Sequence, residues 1–385
     1  MNARLIGELM IARQGQAQWL NSDLPGMHGR VGRAAGADLE VGLPPSRAAD
    51  CSSSRAGRWS APSNSAVQIE PVTGGFVVLL ASEAGSAFPA VGDVFFIPAA
   101  ARSVAAARLI AHANYLAVAP NGRDIWVQQA SPPGHLPGDT WLIDRSGRRL
   151  SSVLRLHRRI LVAATDRGLL TGPAPARGAR LLPFRVSRRA AGRGGGTRLI
   201  STASGATLPM RVPRRALIAA VSPGDVAWQN PPCRRLACPL HVTSLHTGAS
   251  AVIPLPPGTQ TNGQPGAFGQ QDKRLALALD TIRRKQQPAT THIYIIDIGS
   301  RRMTRLPGGP LPLTQAATGL GAIAAGYYFA SPVSWPDGAR LWIVASDSTG
   351  FQAAYWPGAG PLRVLRPQAG PAYTFAVSAA GAAPR

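Results

Sequence analysis

Few residues in this sequence have the types and spacing to do chemistry, and each has an ordinary structural use beside the chemical one. Cys233 and Cys238 enclose Arg-Arg-Leu-Ala in a loop between two expected strands. They can close a small disulfide in an oxidising compartment or stay as two thiols in a reducing one. A structural zinc takes four ligands, and no second Cys/His pair stands at the usual spacing, so no metal is expected. Cys51 has no evident partner, and Ala48-Ala49-Asp50 before it makes no lipoprotein cleavage box. His241 and His246 stand five apart across a strand end, so they share no helical face and give no zinc-protease geometry. Asp166, Asp272 and Asp337 fall in hairpin turns, where an aspartate caps its own backbone.

Other apparent motifs fail on context. Gly319-Leu-Gly321-Ala-Ile-Ala324 has the glycines of a dinucleotide loop but no βαβ setting and no acidic residue about 20 positions on. Arg193-Gly-Gly-Gly-Thr197 lacks the Gly-Lys-Ser/Thr of a phosphate loop, and no Gly-x-Ser-x-Gly elbow occurs. No catalytic residue and no cofactor is therefore assigned from the sequence.

Charge is the stronger signal. Lysine and arginine number 41 against 18 aspartates and glutamates, a net charge of +23, and only Lys273 and Lys285 are lysines. Between residues 145 and 215 stand 17 arginines and one acid, Asp166. Such a field attracts acidic or polyanionic partners, and Arg185, Arg188, Arg189 and Arg193 are the candidate polyanion contacts. That stretch contains Phe184 and no Trp or Tyr, which favours electrostatic contact over base stacking.

The elements that must position these residues are strands. Leu116 and Val118, then Ile125 and Val127, alternate with small or polar residues, and Pro120-Asn121-Gly122 between them folds the runs into a hairpin. Glycine and proline together supply 77 of 385 residues (42 plus 35), which demands many turns. From Val67 onward the strand signals arrive in groups whose second strands begin near Ile125, Leu169, Val226, Leu275 and Leu341, at spacings of 44, 57, 49 and 66. A period near 45 with four strands per group describes propeller blades.

Two of these groups are similar to a known family. Ala119-Pro120-Asn121-Gly122-Arg-Asp-Ile-Trp-Val and Trp335-Pro336-Asp337-Gly338-Ala-Arg-Leu-Trp-Ile resemble the Ser-Pro-Asp-Gly hairpin of the WD40-like repeats in bacterial TolB-like propellers. Leu142-Ile143-Asp144 and Ile295-Ile296-Asp297, with the Ser/Thr-Gly turns after them, resemble that family's third strand and its exit. The resemblance implies a propeller that serves as a binding scaffold, with structural repeat residues, and many such relatives work outside the cytoplasm.

The expectation is thus an all-β chain. Residues 1–65 form a disordered leader with a short helix marked by Leu5, Ile6 and Leu9; residues 66–380 form a β-propeller, and 381–385 a tail. Six four-stranded blades are expected, with seven as the alternative. Tyr373 to Ser378 completes the first blade, which lacks an evident inner strand. The function expected is non-enzymatic binding of a macromolecule, most naturally a protein, by a monomer through loops at the channel ends. The alternatives are an enzyme with a channel site and polyanion binding through 145–215. No apolar run reaches the 18 or so residues of a membrane helix or makes a signal core, so the expected compartment is the cytoplasm.

Overall fold

The computed structural model describes residues 8–13, 16–21, 31–35, 38–39, 64–82, 92–98, 106–130, 137–157, 159–173, 196–213, 216–230, 239–261, 266–269, 272–281, 290–306, 333–335, 341–346, 350–361, 363–364 and 368–369. Every regular element among them is a strand. The chain divides into two compact units: Met1–Leu161 with Ala174–Leu181 and Gly370–Arg385, and Val162–Pro173 with Leu182–Ala369.

In the first unit β1 (Glu8–Arg13), β2 (Gln16–Asn21), β3 (Val31–Ala35) and β4 (Asp38–Leu39) form one antiparallel meander. The short helix expected there is instead the β1–β2 hairpin, paired from Glu8↔Asn21 to Arg13↔Gln16. Leu9, Met10 and Ile11 form a short continuous apolar run, which periodicity alone assigns to neither helix nor strand, and pairing with a neighbouring strand decides. A second sheet follows from β5 (Asn64–Val72), β6 (Gly75–Ser82), β7 (Gly92–Pro98) and β8 (Arg108–Ala113). Its inner strand comes from its own segment: β5 pairs with β6 from Asn64↔Ser82 to Val72↔Gly75. The sheet therefore holds four strands without a loan from Tyr373–Ser378, which lie outside the described residues. A third sheet contains β9 (Tyr115–Val118), β10 (Ile125–Ala130), β11 (Pro137–Ile143) and β12 (Leu154–Arg155), with Ile125 opposite both Val118 and Ile143.

β13 (Arg159–Thr165) carries the chain into the second unit, where it joins β14 (Gly168–Pro173), β15 (Arg198–Ile200) and β16 (Thr207–Leu208). The next sheet is β17 (Leu217–Val221), β18 (Asp225–Gln229), β19 (Leu240–Ser244) and β20 (Ser250–Ile253). Five strands make the sixth sheet: β21 (Thr259–Thr261), β22 (Ala267–Gly269), β23 (Arg274–Thr281), β24 (Thr290–Asp297) and β25 (Arg302–Arg305). Five make the seventh: β26 (Val333–Ser334), β27 (Leu341–Ser346), β28 (Gly350–Trp356), β29 (Arg363–Val364) and β30 (Gln368–Ala369).

The sheet of β21–β25 is covered on both faces, and β23 shows how. Leu275, Leu277 and Leu279 point into a core with Ala219, Ala220, Leu240 and Val242 of the preceding sheet. Ala276 and Ala278, on the opposite face by the two-residue period, pack with Trp335, Leu341 and Ile343 of the following sheet. Large residues fill one side, and alanines on the other leave room for an indole. Gly269 completes that room: a Cβ there would stand 2.5 Å from Trp335. In the first unit Phe76, Val77, Val78 and Leu79 are consecutive and all buried, which likewise requires cover on both faces. An outer layer of a two-sheet sandwich would alternate with polar residues instead.

Candidate functional site

Two kinds of hairpin recur, and each positions polar groups differently. Between third and fourth strands the turn begins with Asp or Ser and is capped locally. Asp144 Oδ1 accepts from the Ser146 and Arg148 amides at 2.8 and 3.0 Å, and Asp297 Oδ1 from the Ser300 amide at 2.7 Å. The Ser146 and Ser300 hydroxyls donate to the same oxygens at 2.5 and 2.6 Å. These bonds favour the ionised carboxylate: the hydroxyl of Ser146 first of all holds the Asp144 carboxyl down to about 2, and that of Ser300 lowers Asp297. Gly147, Gly205 and Gly248 close three of these turns at φ 88, 71 and 71°, while Arg301 takes the left-handed position of the fourth at φ 57°.

Between first and second strands the polar groups reach across to the neighbouring sheet. The Thr73 amide donates to Gly122 O at 2.5 Å, and the Asp166 amide to Pro223 O at 2.9 Å. A residue of the other kind of turn then reaches back. In the first unit Arg145 Nη1 donates to Thr73 O at 2.6 Å; in the second His246 Nε2 lies 3.4 Å from Asp166 Oδ2. The Arg167 guanidinium donates to Leu245 O, and the Leu245 amide to Gly224 O at 2.7 Å.

The second unit gathers titratable groups around Gly224. A Cβ on that residue would stand 3.6 Å from Asp272 Oδ2 and 3.9 Å from His246 Nε2. Burial, and then the nearby Asp272 charge, push the Asp225 carboxyl up, with His246 opposing. Burial likewise raises Asp272, against hydrogen bonds from the Ser222 hydroxyl and the Gly224 amide. Serine, histidine and aspartate thus meet here, the residue types of acyl-transfer chemistry. The bonding is different: the Ser222 hydroxyl is engaged by Asp272, and Ser222 Oγ also accepts from the Asp225 amide at 2.9 Å.

Asp272 was expected to cap its own turn; it binds Ser222 and Gly224, on the turn of the preceding sheet, while its own backbone is left-handed at φ 66°. Asp166 faces His246, 80 residues away. His241, read as a strand residue, stacks on Trp228 with centroids 4.1 Å apart, and burial lowers its basicity. Trp126, Trp228 and Trp335 are buried as packing residues, and Trp228 Nε1 donates to Thr243 Oγ1 at 2.8 Å. Cys51, Cys233, Cys238, Arg185, Arg188, Arg189, Arg193, Asp337 and the Gly319–Ala324 run lie outside the described residues. Among the described residues no group of three or more His, Cys, Asp or Glu could hold a metal ion, and no helix is long and apolar enough to cross a membrane.

Two buried bridging positions escaped the sequence reading. Gln128, fully buried on β10, donates to Arg159 O at 2.9 Å and accepts from the Leu161 amide at 2.8 Å. Gln229, at the end of β18, accepts from Thr261 Oγ1 at 2.5 Å. Both follow a Trp within two residues, Trp126 and Trp228, and that recurrence was the available signal.

No family model matches the sequence, and no curated protein matches it either. Solved structures do resemble the fold. An acylaminoacyl peptidase bound to Z-Gly-Gly-Phe-chloromethyl ketone is 8% identical over 94% of this chain and 52% of its own, with a TM-score of 0.50. A post-proline cleaving enzyme from Rickettsia typhi is 9% identical over the same shares, also at 0.50. The chain spans about half the length of those two enzymes. TolB from Acinetobacter baumannii is 9% identical over 76% of this chain and 59% of its own, at 0.41. At such identities the likeness concerns fold alone: an all-β chain of antiparallel sheets, most of them four-stranded.

Proposed function

We propose that this chain is a β-propeller binding scaffold for another macromolecule. Its sheets act as blades, six of them from residues 64–369, with β1–β4 as a seventh. The observation that carries the reading is how the turn groups are used. Thr73, Arg145, Asp166, Arg167, Leu245 and Asp272 each bond to the turn of an adjoining sheet, so polar groups at the strand ends hold sheets together and leave outer loops to recognise a partner. A protein partner fits best.

One cluster favours a second reading, an enzyme of the propeller type. Asp166, Ser222, Asp225, His246 and Asp272 surround one turn, and two of the carboxyls are displaced towards the protonated form that an acid catalyst needs. A single assay separates the two. The purified chain is incubated with an N-acylated peptide and with a proline-containing peptide, beside the Asp272→Asn and His246→Gln variants. The scaffold reading expects no turnover above buffer. Turnover that both variants abolish would replace it with the enzyme.

Polyanion binding through Arg185, Arg188, Arg189 and Arg193 rests on charge density alone. Retention on heparin in about 0.5 M salt is what would support it.

A further inference from the structure

In the first unit the ring of Phe96 carries two guanidiniums without a counter-ion. Arg108 stands directly opposite Phe96 in the β7–β8 ladder, and Arg145 comes to the same ring from the turn after β11. Their Cζ atoms lie 5.6 and 5.7 Å from its centroid. Both are held in place. Arg145 Nη1 donates to Thr73 O at 2.6 Å, and Gly74, at φ 83°, leaves the room this needs: a Cβ there would stand 2.7 Å from Nη1. Arg108 Nη2 reaches Arg145 O at 3.4 Å. None of the ion pairs among the described residues includes Arg108 or Arg145. Asp144, the residue before Arg145, is engaged elsewhere, by the Ser146 and Arg148 amides and by the Arg148 guanidinium at 3.3 Å.

Two like charges brought to one ring repel each other, and an anion shared by them offsets both. The guanidiniums are ordered before any ligand arrives, so less freedom is lost on binding. Their planar forks of N–H donors match the oxygens of a carboxylate or a phosphate. Charge separates those two ligands. A carboxylate brings one negative charge, whereas a phosphate monoester brings close to two at neutral pH, with three acceptor oxygens. The phosphates along a nucleic acid carry one charge each, and the ring on which a base would stack is 5% exposed and already covered by the arginines.

We propose that Arg108 and Arg145, over Phe96, form a binding site for a phosphate monoester. The site goes beyond the scaffold reading, and its ligand comes either from a phosphorylated side chain of a partner protein or from a phosphorylated small molecule. The test is fluorescence anisotropy of the full chain with a labelled glycine–serine peptide that bears one phosphoserine. The same peptide with glutamate in that place supplies a single charge. At about 150 mM salt, where distant charges are largely screened, the phosphoserine peptide should bind about tenfold or more tightly than the glutamate peptide. Inorganic phosphate should displace it, and dimethyl phosphate, with one charge, should not. Displacement by inorganic phosphate near the peptide's own Kd assigns the site to a small phosphorylated compound; displacement only far above it assigns the site to a phosphorylated protein.

Arg108→Ala should weaken the phosphoserine peptide about tenfold. Arg302→Ala, which removes the same charge from an exposed position on β25, should change it by less than about twofold. Arg108 is exposed, so its alanine variant should melt with the wild type. If that variant melts early, Arg108→Lys keeps the charge, removes the fork, and should still weaken binding about threefold. Equal affinity for the glutamate peptide would overturn the proposal, as would equal displacement by dimethyl phosphate or equal losses for Arg108→Ala and Arg302→Ala. Those outcomes leave the scaffold reading intact; turnover in the peptide assay would remove that reading without touching this site.

Discussion

The turn networks of the two units share a plan and differ in charge. In each, the amide of a first turn donates to the next sheet's turn, Thr73 to Gly122 and Asp166 to Pro223, and a residue of the following third-to-fourth-strand turn reaches back. That residue is Arg145 in the first unit and His246 in the second. Arg145 bonds a carbonyl and brings a cationic surface with it, whereas His246 sits with Asp166, Asp225 and Asp272. The scaffold thus needs a bond at this place but no particular charge. What each unit offers outward can therefore vary while the framework stays the same.

Removing the buried amides breaks the framework hardest. Gln128→Leu removes the buried side-chain bonds to Arg159 O and from the Leu161 amide and should cost about 2–4 kcal/mol by chemical denaturation. Gln229→Leu removes the bond accepted from the Thr261 hydroxyl and should cost about 1–2 kcal/mol. Next comes the reach-back bond itself. Arg145→Ala removes a charged, partly buried donor and should cost about 1.5–3 kcal/mol, against under about 1 for His246→Ala at its exposed position. Equal losses would mean that the difference in charge and burial between the two reach-back bonds carries no energetic weight.

Acid should sharpen the contrast between the two kinds of turn. Asp144 is held at about 2 when folded, against about 3.9 in the unfolded chain, so its contribution is present above pH 4 and is lost as pH falls towards 2. Asp144→Asn should therefore lower stability by about 1 kcal/mol at neutral pH and by nothing below pH 2. Asp225 and Asp272 run the other way. Their folded carboxyls are raised by burial, so their contribution is full below about pH 4 and is lost as pH rises through the folded value. Asp225→Asn should raise the melting midpoint at pH 7 and leave it unchanged near pH 3. The smallest effect is at Arg301, which holds the left-handed position that glycine fills in three related turns. Arg301→Gly should gain about 0.5–1 kcal/mol in the same denaturation experiment.

The strands and their hairpins were legible because they are local: Leu116 to Val127 shows its period and its turn within a dozen residues. β5 was missed because a register shift between Ala66 and Gln68 interrupts the alternation. The β1–β2 hairpin was read as a helix because periodicity alone does not decide so short an apolar run. The candidate site was legible only as residue types. Turn aspartates were recognised, but Asp272 meets Ser222 and Gly224 some fifty residues away, and Asp166 meets His246 at a distance of 80. No local pattern encodes which neighbour a turn carboxylate will face. Gly269 likewise reads as a loop glycine until Trp335 is seen to occupy the space its side chain would need.

The central claim is that turn groups join adjoining sheets, and the Ser222–Asp272 contact tests it most directly. Ser222→Ala, Asp272→Asn and the double variant are unfolded with denaturant at neutral pH and compared as a cycle. The account predicts a coupling of about 1 kcal/mol between the two substitutions. Strictly additive losses would contradict it.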